Sequence, residues 1–138
     1  MHLLVALDDS DPGWAALEFA CAEHGDARIT VIHAIDASES GYGEFAHVGP
    51  GGILERREEH AASLFETARD RAAAFDCEIE TATVEGQPAA AIVDCAMERG
   101  VDRIVVGSHG RSGVSRILLG SVAERIARRA PVPVTIVR

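Results

Sequence analysis

The sequence predicts an α/β protein, a parallel sheet with helices packed on both faces. Three observations carry this. Short apolar, β-branched runs alternate with longer segments of helical periodicity along all 138 residues. The runs are almost continuously apolar, as strands buried on both faces must be. The helical segments are bracketed by start and stop signals, so the order strand, helix, strand holds from end to end. The expected architecture is a single doubly wound domain, residues 1–138, with five strands and four helices.

Leu3 to Leu7 forms the first strand and runs into Asp8-Asp9-Ser10-Asp11-Pro12. Ser10 or Asp11 can cap the helix that follows, with Pro12 at its first position. Trp14, Leu17 and Cys21 recur at helical spacing, and Gly25 closes the segment. Arg28 to Ile35 is the second strand. Ala37 to Gly52, rich in Ser and Gly around Tyr42 and Phe45, reads as a long loop. A long helix is expected over Leu54 to Phe75. Its apolar stripe is Ala61, Phe65, Ala68, Ala72 and Phe75, and Glu55, Arg56, Glu58, Glu59, Arg69 and Arg71 face water.

Glu78 to Val84 is the third strand. Pro88 starts a third helix that turns Ile92, Val93, Ala96 and Met97 inward, and Gly100 ends it. Ile104-Val105-Val106 is the fourth strand, and Val122 to Arg129 the fourth helix. Pro131 and Pro133 stop that helix and lead into Val134 to Arg138 as the last strand.

Composition narrows the function. Apolar residues make up 47%, which suits a packed globular chain. No apolar run is long enough to span a membrane, and Asp8 comes too early for a signal peptide, so a cytoplasmic protein is expected. The 22 acidic and 13 basic residues give a net charge of −9, which repels nucleic acid and anionic membrane surfaces. All basic residues are arginine, and crowded carboxylates of this kind suit a salt-rich cytoplasm. Cys21, Cys77 and Cys95 form no paired motif and read as buried thiols; the six histidines show no metal-ligand spacing.

The loop after the fourth strand is the densest in chemistry. Gly107-Ser108-His109-Gly110 is followed, after nine residues, by Gly120-Ser121. A strand, a glycine loop and a helix start can cradle a phosphate with backbone N–H groups and the positive end of a helix. Gly107, Gly110 and Gly120 would let the backbone approach the anion; otherwise they are ordinary turns. Ser121 can donate its hydroxyl to a phosphate oxygen or cap the helix. Arg111 can clamp a terminal phosphate or simply face solvent. His109 reads as a packing residue rather than a base. The loop is not a Walker A motif, since the chain has no lysine, and its spacing does not fit G-x-G-x-x-G.

The pattern G-x2-G-x9-G-S resembles the ATP-binding signature of the universal stress protein family. Val5-Ala6-Leu7-Asp8-Asp9-Ser10, Ile32-His33-Ala34-Ile35-Asp36, Glu85-Gly86-Gln87-Pro88 and Pro131 to Val137 resemble other elements of that family in the same order. The resemblance implies strand order 3-2-1-4-5, which sets the acidic turn and the glycine loop on one crevice. It implies ATP, with Mg²⁺, as the ligand. Asp8 would touch the nucleoside, and backbone groups at Ala34 would read the adenine edge. Asp8 can equally cap its own loop, and Ala6 departs from the proline frequent there in the family. The resemblance also implies a homodimer joined through Val134 to Arg138, and a regulator of the stress response. A slow ATPase or nucleotidyl-transfer enzyme, and a nucleotide-free dimerisation module, are the alternatives. No residue stands out as a general base, and the Ser-Gly-Gly-x-Asp loop of adenylating enzymes is missing.

Overall fold

A computed structural model describes residues 1–36, 42–109 and 119–138, without the side chains of 42–51, 53 and 54. The strands are β1 (His2–Ala6), β2 (Arg28–Ile35), β3 (Glu80–Glu85), β4 (Arg103–Gly107) and β5 (Val134–Val137). The helices are α1 (Asp11–Glu23), α2 (Tyr42–Ala73), α3 (Pro88–Arg99) and α4 (Ser121–Arg129). The strands form one parallel sheet in the order β3-β2-β1-β4-β5, as expected.

The period of two along each strand divides the core between the sheet faces. Leu3, Val5, Val31 and Val105 pack with Leu17 and Ala20 of α1 and with Leu64, Phe65 and Ala68 of α2. Leu4, Ala6, Ile32, Ile104 and Val106 pack with Ile92 and Ala96 of α3 and with Ala123 and Ile126 of α4. β1 is buried along its whole length between β2 and β4.

Several boundaries differ from the sequence expectation. α2 begins at Tyr42, inside the segment expected to be a loop. Tyr42, Phe45 and Val48 recur at i, i+3 spacing, and this period outweighs the nearby Gly and Pro signals. α2 ends at Ala73, where Asp76 turns left-handed (φ 54°), so Phe75 leaves the apolar stripe and is 43% exposed. Leu64 takes a place in the stripe instead.

Met97 does not face inward; it is 61% exposed. Two residues on a helix differ by about 200°, so Met97 lies on the flank opposite Cys95, and Cys95 is the one that joins the α4 cluster. Ser10 is the cap of α1 (φ −93°, ψ 158°), its Oγ accepting from Gly13 N at 3.1 Å, and Pro12 occupies the second helical position. Gln87 caps α3 by accepting from Ala90 N at 3.0 Å, and Gly100 closes it in the left-handed conformation (φ 62°). β3 begins at Glu80, where pairing with Thr30 starts.

At the amino ends of the strands a polar row crosses the sheet. His2, only 9% exposed, places Nε2 2.7 Å from the buried Thr30 Oγ1. Thr30 Oγ1 donates to Glu80 Oε2 at 3.4 Å, and Glu80 holds Arg28 through bonds of 2.8 and 2.9 Å. Burial pushes the His2 pKa below its ordinary 6.5; the Arg28 and Arg99 cations lower it further, against opposing pulls from Glu80 and Asp102. The Arg28 hydrogen bond holds Glu80 below its ordinary 4.5.

At the opposite end of the sheet, Gly107 meets the first turn of α1. A Cβ there would lie 2.7 Å from Pro12 C and 2.8 Å from Gly13 N. Real Cβ atoms do not approach backbone so closely, so only glycine fits without moving α1.

Two outcomes follow from this packing. The unfolded chain binds a proton at His2 more readily than the folded one. Stability at this site is therefore complete above 6.5 and is lost as pH falls below it toward the lowered folded pKa. Urea unfolding between about pH 7.5 and 5.5 should show this slope, and His2→Gln should flatten it; equal slopes would exclude the His2 origin. Gly107→Ala should cost about 1–3 kcal/mol by overpacking against Pro12–Gly13, read as a lower urea midpoint at unchanged m-value; an unchanged midpoint would show that α1 yields freely.

Candidate functional site

β1 and β4 are adjacent, and the chain leaves them for opposite faces: α1 follows β1 onto one face and α4 follows β4 onto the other. A crevice opens between two such strands beyond their carboxyl ends. The acidic turn after β1 forms one wall, and Ser108, His109 and Gly120 at the ends of the glycine loop form the other.

On the first wall Asp8 Oδ1 accepts from both Ser10 N and Ser10 Oγ. The carboxylate lies over the first turn of α1, where a Cβ on Gly13 would come within 2.7 Å of it. Asp8 therefore caps its loop. Asp9 takes a left-handed backbone (φ 63°), and its Oδ1 accepts from Trp14 Nε1 at 3.1 Å. The Arg71 guanidinium lies 4.3 Å from the Trp14 ring centroid and reaches Glu18 at 3.3 Å.

On the second wall the buried Ser108 is a junction. Its N–H donates to Val137 O at 2.7 Å, and its carbonyl accepts from Gly120 N at 2.7 Å. Its Oγ is 3.2 Å from His109 Nδ1. Gly120 caps α4 with φ −65° and ψ 155°, and a Cβ on it would lie 2.9 Å from His109 Cα. The cap belongs to Gly120, so Ser121, expected as a possible cap, is instead the exposed first residue of α4. Glycine at 107 and at 120 is thus explained by close packing of backbone, a reason that the spacing pattern did not reveal. The two walls meet where Ser10 Oγ, its proton directed to Asp8, lies 3.5 Å from the His109 carbonyl oxygen.

Ala34 lies on β2 beyond the last residue of β1, which pairs only as far as Ala6↔Ile32. Ile32 O accepts from Leu7 N at 2.9 Å, while Ile35 O accepts from Gly86 N on the other side. Peptide groups alternate along a strand, so Ala34 directs its N–H and C=O toward the side where β1 has ended. His33 Nδ1 lies 2.8 Å from Leu7 O beside it. Asp8, Ala34, Gly107, Gly120 and Ser121 thus all lie at the carboxyl end of the sheet. Gly110 and Arg111 lie outside the described residues.

Sequence reasoning missed Ser10 and Ser108 as the residues that join the walls. A polar residue directly after a buried strand was the available signal for Ser108. It also missed the distribution of charge. Residues 99–138 hold eight of the 13 arginines and only two of the 22 acidic residues. The segment bearing the glycine loop is therefore positive, although the chain is negative as a whole.

Among the described residues no group of three or more His, Cys, Asp or Glu side chains is arranged to hold a metal ion. Cys21, Cys77 and Cys95 are buried free thiols. Burial and a hydrogen bond from the Cys21 thiol to Cys77 push the Cys21 pKa up to about 12, far from a nucleophilic thiolate. Among the described residues no helix is long and apolar enough to cross a membrane.

Known proteins share this arrangement. The family model described as "Universal stress protein family" matches residues 1–138. Universal stress protein YxiE of Bacillus subtilis is 35% identical over 145 residues, covering 99% of this chain and 97% of its own. The solved universal stress protein UspA from Lactobacillus plantarum superposes with a TM-score of 0.85 at 25% identity, covering 100% of this chain and 97% of that one. A universal stress protein solved in complex with cAMP superposes at 0.71 with 28% identity, covering 100% and 97%. The family model over the whole chain, the full-length relative and the sheet order agree, and the chain belongs to the universal stress protein family.

Proposed function

We propose that this protein binds an adenine nucleotide, ATP with Mg²⁺, in the crevice between β1 and β4, and acts as a nucleotide-dependent regulator in the cytoplasmic stress response. The observation that carries the reading is the meeting of the two walls: the capped acidic turn and the neck of the G-x2-G-x9-G-S loop touch through Ser10 and His109. A relative that binds cAMP supports an adenine nucleotide as the ligand class. Free, buried cysteines suit a reducing compartment.

The residues fit the chemistry of such a ligand. Asp8 accepts from ribose hydroxyls, and its carboxylate is ill suited to phosphate. Ala34 offers a peptide donor and acceptor to the adenine edge. The first N–H groups of α4, which a helix start leaves without intrahelical partners, face an anion that Gly107, Gly110 and Gly120 let approach. Ser121 donates its hydroxyl and Arg111 its guanidinium to the phosphates. Mg²⁺ would neutralise phosphate charge when the nucleotide is bound. Among the described residues of the two walls no side chain is placed to activate water, which supports a nucleotide that is held, with slow hydrolysis at most.

The dimer belongs to the same reading. Pro133 O and Val137 O accept from β4 and from Ser108, so by alternation Val134 and Ile136 direct their peptide groups away from the sheet. Along β5 every residue is half-buried, and the strand carries no charged side chain. β3, at the other edge, carries Glu80 and Glu85, the usual protection of a free edge. Pairing of two β5 strands about a two-fold axis satisfies the outward groups and closes the assembly.

Calorimetry with ATP and Mg²⁺ should give a micromolar Kd, about 8 kcal/mol of binding free energy, and Gly110→Val should abolish it by blocking backbone approach. Absence of heat and of any thermal shift at millimolar nucleotide would refute the reading; full affinity in the variant would move the cradle elsewhere. Light scattering at tens of micromolar chain should give twice the mass of one chain. Ile136→Pro removes an outward N–H but no β4–β5 bond, so it should shift the mass toward monomer without unfolding the sheet. A monomeric wild type, or a dimer indifferent to that change, would exclude this edge.

A further inference from the structure

We propose that Trp14 is a positioning residue for the nucleotide. Its indole latches Asp9 in the left-handed conformation and so fixes the turn that presents Asp8, while Arg71 clamps the indole from α2. This rests on the reading of the crevice as the nucleotide site.

Asp9 and Asp76 are the non-glycine residues with positive φ among the described residues. Asp76 ends a helix, where that conformation is routine. Asp9 lies in the wall of the crevice, where a disfavoured conformation must be held by its surroundings. What holds it is the indole: Trp14 Nε1 donates to Asp9 Oδ1 at 3.1 Å, reaching back over five residues from the first turns of α1.

The bond serves both partners. Trp14 is only 8% exposed, and a buried indole N–H needs an acceptor. The ring is held in turn by Arg71, 4.3 Å from its centroid, whose guanidinium also reaches Glu18 at 3.3 Å. The turn itself depends on Asp9. Asp8 Oδ1 accepts from Ser10 N and Ser10 Oγ across it, and Ser10 caps α1 and lies 3.5 Å from His109 O on the opposite wall. Were Asp9 to relax to an extended conformation, Asp8 and Ser10 would separate, and the walls would lose their registry. The chain Asp9–Trp14–Arg71–Glu18 therefore runs from the crevice to the outer surface of α1 and α2, where Arg71 and Glu18 are about half exposed.

Substitutions at position 9 test the latch without entering the core. Asp9→Ala loses the acceptor and keeps the left-handed penalty; Asp9→Gly loses the acceptor and removes the penalty. ATP affinity should fall about three- to tenfold in Asp9→Ala and stay within about twofold of wild type in Asp9→Gly. Trp14→Phe keeps the ring and deletes the N–H. It should weaken ATP about as much as Asp9→Ala, yet change nothing further when Gly stands at position 9. That rescue separates positioning from a general loss of packing. Equal affinities for the Ala and Gly variants, or a Trp14→Phe loss undiminished beside Asp9→Gly, would overturn the proposal.

If the wild type binds no nucleotide, the site reading fails and the latch is judged by amide exchange. The Trp14 indole N–H should be protected in wild type and unprotected in Asp9→Gly, and the Ser10 amide should lose protection in Asp9→Ala but keep it in Asp9→Gly. An indole N–H that exchanges freely in the wild type would exclude the latch.

Discussion

The crevice depends on one contact, the seat of α1 against the end of β4. Gly107 offers a hydrogen where any other residue would offer a Cβ, and the backbone of Pro12 and Gly13 occupies that space. This close approach puts the start of α1, with its Ser10 cap and the carboxylate of Asp8, directly beside the chain leaving β4. Ser10 is then near enough to reach the carbonyl of His109. Without the missing methyl the two loops would stand apart, and the strand order alone would give a wider, emptier cleft.

The two ends of the sheet are built for different purposes. At the amino end, the polar groups of His2, Thr30, Glu80 and Arg28 satisfy one another in a row that ties three strands together. At the carboxyl end the polar groups cap helices and turns, and the peptide groups of Ala34 face a region that β1 has vacated. A parallel sheet permits this division because all strands end on the same side. Charge follows a further division: the arginine-rich stretch from Arg99 onward includes β4, α4 and β5, and the acidic residues concentrate before it.

The sequence made the class, the element order and most helix boundaries legible, because period, caps and breakers are local signals. Gly100 was recognisable as a helix stop, and it adopts the left-handed conformation that the role requires. Met97 was misplaced, because a helix with a broad apolar arc does not reveal which flank a neighbour will cover. The start of α2 was missed because Gly and Pro signals opposed a weak apolar period. At the site, Asp8, Gly107 and Gly120 stood out by type and spacing. Ser10, Ser108 and Trp14 did not. Their roles are contacts between segments distant in the chain, or between a side chain and a strained turn, and no local pattern encodes those.

The bond from Gly120 N to Ser108 O has an evolutionary consequence. It pins together the two ends of the segment of 11 residues between them, at its neck. The neck is fixed by β5 through Val137 and by α4 through its cap. Closure entropy grows only slowly with length, about 0.6 kcal/mol per doubling. Descendants of this scaffold can therefore lengthen, shorten or rewrite that segment at little cost to folding, and a protein engineer can graft a foreign recognition sequence at the same two anchors.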